Sequence, residues 1–251
     1  MERPSDLIQS VSRAFRILEE VGRHPDGINP KRVAQRCGMH LSTAYHLLRT
    51  LCYEGYLIRL PSGDYALGLE IADRFRDLQA ALTRRPQAAA VLRHLASATS
   101  HTAYLARIVD GRVAIAQVAE GPDSPHLEDL IPGFDEGAHA TALGKALLST
   151  LPPPRRKAYL REAGLRPFTS RTVISAEEFE TELASMKRTG TFVEEGQYRS
   201  RVSCVALLVP AGEEDEGWEA LGFSAPAATF PREREALTTH LRQVAGDLAA
   251  A

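Results

Sequence analysis

The sequence predicts an α+β fold: a three-helix N-terminal unit closed by a hairpin, a connecting helix, and a C-terminal antiparallel sheet with flanking helices. Three observations carry this. Short helical segments punctuated by glycine and proline fill residues 10–54, and a strand–turn–strand pattern follows them. A new apolar helical stripe begins after Gly68. From His101 onward, strands and helices mix, with an Asp110-Gly111 hairpin signal among them.

In the first segment, "SVSRAFRILEEVG", Ala14, Ile17, Leu18 and Val21 recur at i, i+3, i+4 and i+7, one helix face. Gly22, Pro25 and Gly27 end it. "NPKRVAQRCG" follows as a short helix, with Asn29 as N-cap, Pro30 at the first helical position and Gly38 as the stop. Only Met39 and His40 separate that stop from a third helix, "LSTAYHLLRTLCYEGYL". "YLIRL-PSGD-YALGL" reads as two strands around a turn. Three helices, a tight turn before the third and a hairpin after it describe a winged helix-turn-helix, assigned to residues 1–67.

Ile71, Phe75, Leu78 and Leu82 form the stripe of a linker helix, assigned to 68–85 and broken at Pro86. Residues 86–251 make the second domain. It opens with the helix "PQAAAVLRHLASATS", and a hairpin around Asp110-Gly111 follows. "GAHATALGKALLSTL" and "PPPRRKAYLREAG" read as helices, as does "SAEEFETELASMKRTG" with a Ser175/Glu178 capping box. "VSCVALLVP" and "WEALGFSAP" are adjacent strands around the loop "GEEDEG", and "PREREALTTHLRQVAGDLAAA" closes the chain as a helix.

Composition bounds the class. The chain has 251 residues, 44% of them hydrophobic and 25% charged, as in an ordinary globular protein. No apolar run approaches the roughly 20 residues that span a bilayer, and the N-terminus lacks a secretory pattern, so no membrane partner is expected. Cys37, Cys52 and Cys204 are too few and too widely spaced for a disulfide framework, which points to the cytoplasm. Residues 1–65 carry nine Lys/Arg against seven Asp/Glu, a charge of +2 within a chain of net −2. That excess is compatible with nucleic acid and does not establish it.

The third helix does more. Projected at 100° per residue, Ala44, Leu47, Leu48 and Leu51 gather on one side. Ser42, His46, Arg49 and Tyr53 gather on the other, flanked by Tyr45 and Thr50. This polar face lacks the Glu/Lys mixture of a solvated helix and carries donors suited to phosphates and base edges. In helix-turn-helix geometry the N-terminal part of this helix enters the major groove. The expected DNA surface is therefore Ser42, Thr43, Tyr45, His46 and Arg49. Lys31 and Arg32 join it at the start of the preceding helix, and Arg59, Ser62 and Gly63 on the wing. Arg13 and Arg16 have a weaker claim.

The run "QSVSRAFRILEEV … VAQRCGMHLSTAYHLLRTLCYEGYL … GDYALG" resembles the N-terminal domain of the IclR family of bacterial transcriptional regulators. "GAHATALGKALLS" and "VSCVALLVP … LGFSAP" resemble hallmarks of that family's effector domain. The resemblance covers nearly the whole chain. It implies a GAF-like antiparallel sheet behind the winged helix-turn-helix, dimers that associate into tetramers, and palindromic double-stranded DNA operators. Whether the chain represses or activates transcription stays open. The family often has arginine where His46 stands, so operator preference does not transfer.

The resemblance also places a small-molecule effector against Ala142, Leu143, Glu194, Cys204, Gly222 and Ser224. The small residues Ala140, Ala142 and Gly144 are expected either to admit a ligand to backbone N–H groups or to pack the helix tightly on the sheet. Gln197 stands where the family has an acidic residue, Arg201 where glycine is common and Leu208 where proline is common. A carboxylate at Glu194 without a cation disfavours acidic effectors, and Arg201 either supplies that cation or points into solvent. Two expectations stay open: an effector unlike the family's usual ones, or none.

No cofactor or metal is expected. His101, His126, His139 and Cys204 have no local ligand spacing, and no nucleotide loop, nucleophile elbow or zinc-protease motif is present. An enzyme is therefore disfavoured. The other alternative is a constitutive DNA-binding protein whose C-terminal domain only oligomerises.

Overall fold

The computed structural model describes residues 6–82, 86–123, 133–134, 137–212 and 217–249. Two compact units divide the chain at Leu78/Gln79. In the first, α1 (Gln9–Gly22), α2 (Pro30–Arg36) and α3 (Leu41–Tyr53) precede a two-stranded wing, β1 (Leu57–Arg59) and β2 (Tyr65–Leu67). Ile17, Val21, Val33, Leu48, Leu57 and Tyr65 are buried together. Each apolar side chain of this size contributes about 1.5–3 kcal/mol on burial, which is how so small a unit holds its helices.

Asn29 caps α2 as expected, its Oδ1 accepting from Arg32 N at 2.9 Å. The turn into α3 is a Schellman closure. Gly38 adopts φ +62°, and Met39 N donates back to Ala34 O at 3.0 Å. Met39 then packs on the core, so glycine and methionine together set where α3 starts. In the wing, Leu60 N donates to Asp64 O at 2.8 Å and Gly63 takes φ +88°. Helix α4 (Glu70–Leu82) follows, beginning two residues later than the sequence suggests. Its exposed face carries ion pairs from Arg74 to Glu70 and Asp77, and between Arg76 and Asp73. Phe75 and Leu78 of its apolar stripe are exposed.

The second unit starts with α5 (Pro86–Thr99) and the hairpin β3 (Thr102–Val109) and β4 (Arg112–Ala119). Asp110 and Gly111 both take positive φ, 49° and 72°, as a two-residue hairpin turn requires. After β5 (Gly133–Phe134) come α6 (Ala142–Thr150), α7 (Pro153–Ala163), α8 (Ala176–Thr189), β6 (Phe192–Glu195), β7 (Val202–Pro210), β8 (Trp218–Pro226) and α9 (Phe230–Ala249). Ser175 caps α8, accepting from Glu178 N. The strands form one antiparallel sheet in the order β5-β4-β3-β8-β7-β6.

Alternation divides the sheet's side chains between two cores. Val193, Val205, Leu207, Leu221 and Phe223 meet α5 and α9 on one face. Phe192, Cys204, Ala206, Ala220 and Tyr104 meet α6 and α8 on the other. This second face is where the expected effector residues fall.

Candidate nucleic-acid interface and effector face

In the first unit, Ala44 and Leu48 are fully buried and Leu47 and Leu51 pack around them, so α3 is fastened by its apolar side. That leaves Ser42, Tyr45, His46, Arg49 and Thr50 exposed, while Thr43 is half-buried. His46, Arg49 and Thr50 of α3 share a surface groove of about 660 Å³ with Arg59 of the wing, Cys52, Tyr53 and Tyr65. Three of the expected cations or donors, from two elements, thus line one depression. The Arg59 guanidinium lies by the wing tip, its Nη2 3.7 Å from where a Gly63 Cβ would stand, an ordinary contact, and it is the φ of +88° that favours glycine at Gly63. Tyr53 is 86% exposed and lines the groove too. Its place on the polar side of the helical projection was the signal for it.

Other expected DNA residues sit apart from that groove. Lys31 and Arg32 are exposed at the start of α2. Arg32 N is not free for phosphate, because Asn29 already takes it. Ser62 is exposed, but its hydroxyl donates to Asp64 Oδ2 at 3.2 Å and accepts from Asp64 N, which ties it into the wing turn.

In the second unit, Glu194, Cys204 and Ser224 are direct register partners across β6, β7 and β8. Tyr104 pairs with Gly222 and its hydroxyl lies 3.2 Å from Ser224 Oγ. Leu143 of α6 closes on this row, its Cδ2 being 3.1 Å from where a Gly222 Cβ would stand. Ala142 is buried beside it. Five of the six expected effector residues therefore meet around one stretch of sheet, and Ala142 begins the helix that covers it.

Of the small residues, Gly144 serves packing. A Cβ on Gly144 would stand 2.1 Å from Ala138 O, and Gly144 N donates to Thr141 Oγ1 at 3.1 Å. The turn before the helix thus presses on Gly144, the packing alternative of the two expected for it. The helix itself starts at Ala142 with Thr141 as its cap, leaving His139 and Ala140 in that turn.

Arg201 does not supply a cation here, and the buried cation on this side of the sheet is Lys145. Arg201 is exposed. Lys145 is 1% exposed, and its Nζ donates to Glu182 Oε2 at 3.0 Å and Gln197 Oε1 at 2.6 Å. Gln197 Nε2 donates to Glu182 Oε1 at 2.9 Å, closing a three-residue ring. Burial pushes the lysine pKa down, and Glu182 opposes the shift. A lysine inside the apolar run "ALGKALL" was the sequence signal for it.

Glu194 is the second buried charge-capable group, 1% exposed. Its Oε2 accepts from Gln197 N at 2.8 Å and Tyr198 N at 3.4 Å, whereas Oε1 is buried without an N–H or O–H donor. Burial raises its pKa to about 7, against the pull of those N–H groups, the Cys204 thiol and the Lys145 charge. Burial also pushes Tyr104 up to about 12, with the Ser224 bond opposing. Beyond Tyr198, the rings of Phe168 and His139 follow in tilted contact, with centroids 4.8 and 5.7 Å apart in turn.

Among the described residues, no group of three or more His, Cys, Asp or Glu side chains could hold a metal. His101 Nε2 is 3.1 Å from Glu233 Oε2, and His139 Nε2 donates to Arg166 O at 3.0 Å. His126 lies outside the described residues, as do residues 213–216 of the expected loop. No helix among the described residues is long and apolar enough to cross a membrane.

Comparison with known proteins agrees with both units. The model of the IclR helix-turn-helix domain matches residues 10–61, and that of the bacterial transcriptional regulator IclR C-terminal domain matches residues 81–250. The HTH-type transcriptional regulator XynR of Escherichia coli is 30% identical over 205 residues, 81% of each chain. The transcriptional repressor IclR of the same organism is 24% identical over 233 residues, 90% of this chain and 83% of that one. A putative IclR transcriptional regulator from Silicibacter sp. TM1040 superposes with a TM-score of 0.73 at 23% identity, covering 96% of this chain and 95% of the other. An IclR homologue from Microbacterium hydrocarbonoxydans, solved with 4-hydroxybenzoate, superposes with a TM-score of 0.72 at 20% identity, covering 97% and 100%. These matched families are DNA-binding transcriptional regulators and not enzymes. With one family model alone spanning more than half of its length, the chain belongs to the IclR family of bacterial transcriptional regulators.

Proposed function

We propose that the chain is a sequence-specific regulator that reads a palindromic operator as a dimer or tetramer, acts in the cytoplasm, and answers to a small molecule. Residues 1–67 form the DNA-binding domain, 68–85 the linker and 86–251 the effector and oligomerisation domain. The observation that carries the DNA reading is the shared groove of His46, Arg49 and Arg59, which sets a recognition helix and a wing around one depression. Ser42, Thr43 and Tyr45 extend that surface toward base edges, and Lys31, Arg32, Ser62 and Gly63 flank it toward the backbone.

The effector reading rests on a different observation. Ala142, Leu143, Glu194, Cys204, Gly222 and Ser224 converge on one sheet face that holds a buried carboxylate oxygen with no N–H or O–H donor. A distant fold relative is known with 4-hydroxybenzoate, which supports a small-molecule pocket in this architecture. A ligand that favours one arrangement of subunits over another shifts the spacing of the DNA-binding heads, with α4 as the connection.

The test is selection of bound fragments from the source genome by the purified chain, followed by mobility shift on a selected site. Arg49→Ala should weaken binding by about 5- to 100-fold, the loss of one phosphate or base interaction, while gel filtration shows the assembly unchanged. No enrichment of any fragment would sink the DNA reading. An unchanged affinity would remove Arg49 from the surface.

A further inference from the structure

The row Glu194–Cys204–Ser224 runs straight across three neighbouring strands, so its outer members stand about 10 Å apart at the usual strand spacing of about 4.8 Å. Tyr104 adds a hydroxyl at the Ser224 end. The rest of this sheet face is apolar, with Phe192, Ala206 and Ala220 around the row. At the Glu194 end, the Cys204 thiol and two backbone N–H groups bond the carboxylate, and Oε1 is left as an acceptor that no N–H or O–H group of the described residues satisfies. Buried acceptors of this kind are rare in folded proteins and call for a donor.

The surrounding charges narrow what that donor is. The Lys145 ammonium is engaged by Glu182 and Gln197, so a ligand anion would meet the Glu194 carboxylate without a cation to spare. Arg201 is exposed, and Arg199 lies 4.9 Å over the Tyr198 ring. A ligand cation would meet the field of Lys145, which already acts on Glu194. A neutral donor carries neither penalty, and a hydroxyl also matches the Tyr104–Ser224 pair, where each oxygen can give or take a hydrogen bond.

We propose that the effector taken at this face is a neutral, hydroxyl-bearing small molecule that donates a hydrogen bond to Glu194 Oε1, rather than a simple carboxylate. The proposal rests on reading this face as the effector site. Its source, phenolic or polyol, is left to the probes, because the shared chemistry is the hydroxyl.

The test uses the purified full-length chain at pH 8 and matched probes that differ only in the group of interest: benzyl alcohol against benzoate, and 1,4-butanediol against succinate. Binding is read by calorimetry and by the shift in Tm. At least one alcohol should bind about tenfold or more tightly than its acid counterpart. Glu194→Gln, which keeps the shape and removes the charge that strengthens the bond, should weaken that alcohol about tenfold. Ser224→Ala, a smaller change, should weaken it as well and serves if Glu194→Gln fails to fold. Tighter binding of an acid, strengthened further by Glu194→Gln, overturns the ligand class and keeps the site. Alcohol binding untouched by either substitution overturns the site itself. Absence of binding by both alcohols at millimolar concentration overturns the proposal.

Discussion

Two buried residues of the second unit, Lys145 and Glu194, hold most of its electrostatic consequence. Each is 1% exposed, and each is met by partners that partly offset its burial. For Glu194 the sign is set by burial, which raises its pKa from 4.5 to about 7. Between those values the folded chain holds a proton that the unfolded chain has released. Stability from this group is therefore greatest below the unfolded value, falls as pH rises through the window, and is flat above about 7. The full swing is on the order of a few kcal/mol. Urea unfolding of the native chain and of Glu194→Gln at pH 5 and pH 8 measures it, and the variant should lose part of the native pH dependence. Equal pH dependence in both would show that Glu194 is not the proton holder. Gly144 makes the complementary point about space. It is small because the Ala138 backbone presses on it, not because a ligand does.

At the scale of elements, α6 is held at its C-terminal end by one arginine. Arg156 Nη1 donates to Leu148 O and Leu151 O, while Nε and Nη2 grip both oxygens of Glu180 at 2.7 and 2.6 Å. One fork thus satisfies a helix end and clasps α7 to α8. The hydrogen bond from Arg156 in turn holds Glu180 below its ordinary pKa. Lysine keeps the charge and loses the planar fork, so Arg156→Lys should cost about 1–3 kcal/mol of unfolding free energy. Guanidinium titration is the check, and an unchanged midpoint would show that the clasp carries no stability. In "PPPRRKAYLREAG" the helix was legible from its prolines and Gly164, but nothing there tells Arg156 from Arg155. Only the packing of α6 against α8 makes that difference. By contrast the Schellman turn at Gly38 was legible, because a glycine between two helical periods has one common use.

At the scale of the molecule, a net charge of −2 coexists with a basic groove in the N-terminal unit. DNA affinity in this arrangement comes from local cations, so it should fall steeply with salt in spite of the overall sign. The slope of log affinity against log salt should be negative, and Arg59→Ala should make it shallower by about one for each operator phosphate left without its cation. Titration by fluorescence anisotropy from about 50 to about 300 mM salt, across which the Debye length roughly halves, measures both. A salt-independent affinity would remove Arg59 and its neighbours from the phosphate surface.

The sequence by itself determined the order and kind of most elements, β5 and β6 excepted, and the polar face of α3. Those features repeat at helical or strand period, or are marked by glycine, proline and capping residues, so local chemistry writes them. Tertiary structure decided which polar side chains lose water. Lys145 became a buried cation, Gly144 became a seat for Ala138, and Glu194 was left with an oxygen lacking an N–H or O–H donor. Those outcomes depend on which elements from distant parts of the chain close over one another, and desolvation is a property of that closure rather than of any residue in it.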